Sequence, residues 1–136
     1  MKFEAGLSHV IEFSFSEKDQ QTFASLSGDF NPIHLDPQYA KSKGFPGSVV
    51  YGGLIISKIS QLIGMQFPGQ DGLWASLKIA FRNPLYVDRP AYLVGVIDQV
   101  SEGVGGLVLR IEVKDQDRVI CTGTAIAALF NLPRDE

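Results

Sequence analysis

Leu54-Ile55-Ile56-Ser57-Lys58-Ile59-Ser60-Gln61-Leu62-Ile63-Gly64-Met65 is the stretch on which the fold turns. Its apolar residues occupy most of a helix circumference and leave Ser57, Lys58, Ser60 and Gln61 as the polar exceptions. A helix apolar nearly all round is expected to lie inside something. The residues after it change period. Leu73, Ala75, Leu77, Ile79 and Phe81 alternate with Trp74, Ser76, Lys78, Ala80 and Arg82, the pattern of a strand. Asp88-Arg89-Pro90 turns the chain into a second strand, about Ala91 to Val100, and the glycine-rich 101–106 segment is a loop. Leu107, Leu109, Ile111 and Val113 mark a third strand, and Asp115-Gln116-Asp117 turns into a fourth, about Val119 to Phe130.

Upstream, Ile11, Phe13 and Phe15 form the apolar face of a strand over 9–15. Ser16-x-x-Asp19 then has the form of a helix cap, and the helix is expected to reach about Leu26, with Phe23, Ala24 and Leu26 inward. Asp36-Pro37 starts a short helix that ends near Lys43-Gly44. The order is strand, helix, loop, buried helix, then four strands. Strands gathered after helices predict an α+β class with an antiparallel sheet. A curved five-stranded sheet wrapped around one long central helix buries that helix economically. The whole chain, 1–136, reads as one domain.

Composition narrows the function. Hydrophobic residues make up 45% and charged residues 20%, as in ordinary globular proteins. A net charge of −3 without a basic cluster argues against a nucleic-acid partner. No apolar run reaches the roughly 18 residues of a membrane span, and 1–6 does not resemble a secretion signal. Cys121 is the only cysteine, so neither an internal disulfide nor a cysteine-based zinc site is expected. A reducing, cytoplasmic setting is the expectation.

The loop Ser25-Leu26-Ser27-Gly28-Asp29-Phe30-Asn31-Pro32-Ile33-His34 holds the chemistry. Pro32 disfavours helical geometry at Asn31, and Gly28 opens backbone angles closed to other residues. Regular helix is not expected here. An Asp and a His aimed together could hold a water molecule, one accepting and the other donating. Which does which is not readable from sequence. Asp29 and Asn31 also suit plain turn roles, Asn31 especially as a brace, and His9 reads as structural. Asp29, His34 and Asp36 lack the further ligands that a metal site would need, so no metal is expected.

Gly28-Asp29-x-Asn31-Pro32-Ile33-His34, with Phe23-Ala24 before it and Gly52-x-Leu54-x-x-Ser57-x-x-Ser60 after it, resembles the MaoC-like (R)-specific enoyl-CoA hydratases. The likeness covers most of the chain. It implies a hot-dog fold, a homodimer with a ten-stranded sheet, and reversible addition of water to a 2-enoyl thioester. Asp29 and His34 match the family's catalytic pair. Ser60 matches a hydroxyl near the substrate, and Gly52 a backbone N–H facing the thioester carbonyl. Gly53 beside it offers an uncluttered approach to a helix N-terminus, where developing negative charge is favoured. Asn31 is a further candidate substrate contact.

One departure stands out. The family usually has His-Gly where this chain has Tyr51-Gly52, which puts pocket shape and acyl specificity in question and makes Tyr51 a candidate pocket residue. No cofactor is implied beyond the carrier of the acyl group, coenzyme A or acyl carrier protein. Alternatives within the same fold are a dehydratase for carrier-protein substrates, a non-catalytic acyl-thioester-binding subunit, and a thioesterase.

Overall fold

The computed structural model describes residues 3–116 and 118–130. The expected single domain therefore includes a few residues, and the turn at Asp117 its last position, outside the described residues.

Strand β1 (Ser8–Phe13) buries Ile11 and Phe13, and Phe15 follows them into the core. Ser16 caps helix α1 (Glu17–Ser27): its hydroxyl accepts from the Asp19 N–H at 3.2 Å, and its own N–H donates to the Asp19 carboxylate at 2.9 Å. The pair satisfies donors that a first turn otherwise leaves open. Gly28 ends α1 at a φ of 80°, a left-handed conformation that suits glycine. Ala24 is buried as expected, but Leu26 is 83% exposed, and the second buried residue of α1 is polar Gln20.

The segment around Pro32 is helical after all. Helix α2 (Pro32–Leu35) is a single turn that contains His34. Pro32 stands at its first position, where no N–H is needed, and the Asn31 side chain accepts from the Ile33 N–H. Helix α3 (Pro37–Ser42) follows, capped by the Asp36 carboxylate through the N–H groups of Gln38 and Tyr39.

Helix α4 (Gly52–Met65) has no side-chain cap. Packing holds it instead. Ile55, Ile59, Leu62 and Ile63 lie on one face and are almost fully buried. Each contributes about 1.5–3 kcal/mol, against about 1 kcal/mol for a good cap. The opposite face, with Gly53, Ser57, Ser60, Gln61 and Gly64, is exposed. Burial all round does not occur in the single chain, because one sheet covers only one side of a helix.

A short 3₁₀ turn, Gly69–Asp71, leads into strands β2 (Gly72–Phe81), β3 (Ala91–Ser101), β4 (Gly106–Asp115) and β5 (Arg118–Leu129). The sheet order is β1-β3-β4-β5-β2 and every pairing is antiparallel. β1 and β2 are its edges. β2 breaks its alternation at a register shift between Trp74 and Ser76. Trp74 therefore packs against the core together with Leu77 and Ile79, while Leu73, expected on their face, is 64% exposed. In β3, Gly95 leaves room for α4: a Cβ there would lie 2.3 Å from Leu62 Cδ2.

The 84–89 segment is pinned from across the fold. Arg118 donates to the Pro84 carbonyl at 3.0 Å and to the buried Asp115 carboxylate at 2.9 Å. Arg89 reaches the same carboxylate at 3.9 Å, and both guanidinium groups lie near the Tyr86 ring.

Candidate active site

Three pieces of chain meet at the entrance of α4: the end of α1 with its loop, α2, and the 48–51 segment. His34, in the last turn of α2, is half-buried. Its Nδ1 lies 2.7 Å from the Val49 carbonyl oxygen. A carbonyl can only accept, so Nδ1 carries a proton, and in the neutral form of the ring Nε2 is the acceptor.

Tyr51 lies against this imidazole. The ring centroids are 4.0 Å apart with planes 25° apart, and Phe23 packs on Tyr51 at 4.7 Å. The Tyr51 hydroxyl donates to the backbone carbonyl of Asp29 at 2.5 Å. Burial first, and the Asp29 charge second, push the Tyr51 phenol above its ordinary range. Tyr51 thus joins the loop of Asp29 to the helix of His34.

Asp29 is exposed. Its Oδ1 accepts from the Asn31 N–H at 3.0 Å, which leaves Oδ2 available. The Asn31 side-chain oxygen caps α2, which braces the loop.

His34 and Gly52 line one open cleft of about 410 Å³, with Val50, Ile55, Phe81 and Leu85 among its apolar walls and Arg82 and Asn83 at its polar side. Gly52 belongs to the first turn of α4, where the Leu54 N–H already donates to the Tyr51 carbonyl at 3.0 Å while those of Gly52 and Gly53 precede the first intrahelical bond. The two glycines have a packing reason as well as an access reason. A Cβ at Gly53 would come 2.3 Å from Phe23, and one at Gly52 would come 3.1 Å from Phe81. Aromatic rings occupy much of the space that Gly52-Gly53 leaves.

The structure brings His34, Tyr51 and Gly52 together and ties the Asp29 backbone to them. Neither Asp29 nor Ser60 lines the His34 cleft; Ser60 lies on the exposed face of α4. Gln20 was missed. It is 1% exposed and bonded to three backbone groups around the site, yet nothing in the sequence separates it from Gln21 beside it except its position on the inward face with Ala24. Among the described residues no group of three His, Cys, Asp or Glu side chains could hold a metal ion.

A sequence model described as a MaoC like domain matches residues 2–100. The (R)-specific enoyl-CoA hydratase of Aeromonas caviae is 36% identical over 84 residues, covering 62% of this chain and 63% of that protein. The mitochondrial 3-hydroxyacyl-[acyl-carrier-protein] dehydratase of Arabidopsis thaliana is 30% identical over 124 residues, covering 87% of this chain and 72% of that protein. The chain thus spans less than two thirds of the first relative in the matched region. Among solved structures, the (R)-hydratase from A. caviae involved in PHA biosynthesis matches at a TM-score of 0.90 and 28% identity, over 95% of this chain and 98% of that one. The fold is the hot-dog fold of that hydratase, as expected.

Proposed function

This chain belongs to the MaoC-like family, and from that premise we propose that it interconverts 2-enoyl and 3-hydroxyacyl thioesters of coenzyme A by adding and removing water, with R stereochemistry. The observation that carries the reading is His34, which lines the same cleft as Gly52 while its Nδ1 is tied to the Val49 carbonyl, so that Nε2 is the ring nitrogen left for chemistry. The named relatives are hydratases and dehydratases.

In the hydration direction, Nε2 of His34 takes a proton from water while the water oxygen bonds C3. The C2=C3 π electrons move toward the thioester, whose oxygen gathers negative charge. Backbone N–H groups at the start of α4, Gly52 first, meet that charge with the helix dipole behind them. The proton held at Nε2 then goes to C2, so water is fully accounted for. Asp29 lies outside the cleft of the single chain, held beside it through its backbone; in this reading its free carboxylate oxygen turns in to orient the water once substrate is bound. No cofactor enters these steps; coenzyme A serves as the carrier. Tyr51 shapes the wall behind His34, and Ser60 contacts substrate only if a second copy brings its exposed helix face to a cleft.

Such a copy fits the edges. Among the described residues β2 has a free edge bearing exposed Leu73 and Phe81, and one face of α4 is uncovered. We infer a homodimer with a ten-stranded sheet, which sedimentation would reveal as twice the 14.9 kDa chain mass. No helix among the described residues is long and apolar enough to cross a membrane. A cytoplasmic setting fits the lone buried Cys121.

The decisive assay follows loss of enoyl absorbance with crotonyl-CoA. Asp29→Asn and His34→Ala are each expected to abolish most of the rate, and activity that survives both overturns the reading. The Arabidopsis relative, which matches over 87% of this chain, favours a second carrier. Comparing rates on coenzyme A and acyl-carrier-protein substrates decides between the two. Acyl-CoA binding without turnover would point instead to a non-catalytic subunit, and release of free thiol to a thioesterase.

A further inference from the structure

Gln20 is the most buried polar side chain near the cleft, on a helix whose other residues, apart from Ala24, are at least partly exposed. Burying an amide is costly unless its hydrogen-bonding groups are met. Here they are met by backbone alone. Nε2 donates to the His34 carbonyl at 2.8 Å and to the Val49 carbonyl at 2.9 Å. Oε1 accepts from the Tyr51 N–H at 3.2 Å. Two carbonyls on one side and an N–H on the other fix which end of the amide is nitrogen.

These partners are the three points that define the site. The Val49 carbonyl accepts from both Gln20 Nε2 and His34 Nδ1, so the amide aims the oxygen that holds the imidazole proton. The second donor holds the backbone of His34 itself, and the acceptor holds the backbone of Tyr51, whose ring covers His34. Networks satisfied in this way are stiff, and losing the shared member leaves several buried groups unpaired at once.

We propose that Gln20 is a positioning residue that sets the tautomer of His34, holding its proton on Nδ1 and keeping Nε2 free. Its bearing on turnover rests on the reading of His34 as the proton acceptor, but the tautomer can be seen without turnover. The chain has only two histidines, so the ring signals of His34 are separable from those of His9.

The test is nitrogen-15 NMR of the neutral imidazoles in the whole protein, beside steady-state kinetics on crotonyl-CoA. In the unmodified protein His34 is expected in the Nδ1–H form. Gln20→Met keeps the length and removes all three bonds. It is expected to move His34 toward the Nε2–H form that imidazoles favour in water, to leave His9 unchanged, and to lower kcat roughly 10- to 100-fold with KM little changed. An unmodified protein with His34 in the Nε2–H form overturns the proposal whether or not the variant folds. So does a folded Gln20→Met protein whose His34 stays Nδ1–H. A shifted tautomer with unchanged kcat supports the role of Gln20 and removes His34 as the proton acceptor instead.

Discussion

The ring of Tyr51 covers that of His34 at a centroid distance of 4.0 Å while its hydroxyl holds the backbone carbonyl of Asp29. One side chain therefore supports both residues proposed to handle water. Tyr51→Phe keeps the stack and drops the bond, with an expected cost of about 0.5–1.5 kcal/mol in urea denaturation. Tyr51→Ala leaves a hole and is expected to cost about 3–5 kcal/mol. The Phe variant is expected to lose rate through a looser Asp29 loop, so kcat on crotonyl-CoA falls without loss of fold.

The phenol of Tyr51 also fixes an alkaline limit. Its folded-state pKa lies above the ordinary 10.0, because burial and the Asp29 charge disfavour phenolate. A raised value means that the folded state holds this proton more tightly than the unfolded state. Its contribution is full below pH 10 and declines as pH rises through the folded value. Unfolding at a series of alkaline pH values is expected to show this decline, and Tyr51→Phe to remove that component of it.

Cys121 is fully buried in β5, and burial pushes its thiol up to about 11. The thiolate is the reactive form. A disulfide reagent such as Ellman's is therefore expected to leave the folded protein unlabelled at pH 8 and to label one thiol on unfolding.

Gly95 and Leu62 share one space. Alanine at position 95 would put its Cβ 2.3 Å from Leu62 Cδ2. Gly95→Ala is expected to cost about 1–3 kcal/mol by overpacking. Leu62→Ala alone, at a fully buried site, is expected to cost about 2–5 kcal/mol. The double variant should cost less than the sum, since the methyl added at 95 enters the hole left at 62. Urea melts of the four proteins measure this coupling.

What the sequence disclosed divides along a physical line. Patterns repeated over many residues were legible: the alternation of β4, the existence and apolar character of α4, though not its one-sided burial, and the Ser16–Asp19 cap. The Gly28–His34 loop stood out because its residue types are scarce in cores. What stayed hidden depends on partners far along the chain. The shift between Trp74 and Ser76 turns Leu73 outward, and alternation alone cannot place it. Pro32 reads as a breaker, yet at the first position of a turn it is a starter. Gln20 looks like a surface glutamine until the 34–51 segment folds over it.

The strand order β1-β3-β4-β5-β2 has a consequence for how the protein comes into being. β2 and β3 follow each other along the chain but are not neighbours in the sheet. β4 and β5 stand between them, and both are made after residue 105. During synthesis every residue assigned to the cleft has left the ribosome while β2 still lacks its partner. The nascent chain thus carries its chemistry early and its keystone late. Until β5 is in place, β2, which brings Phe81 to the cleft, has no neighbouring strand to hold it.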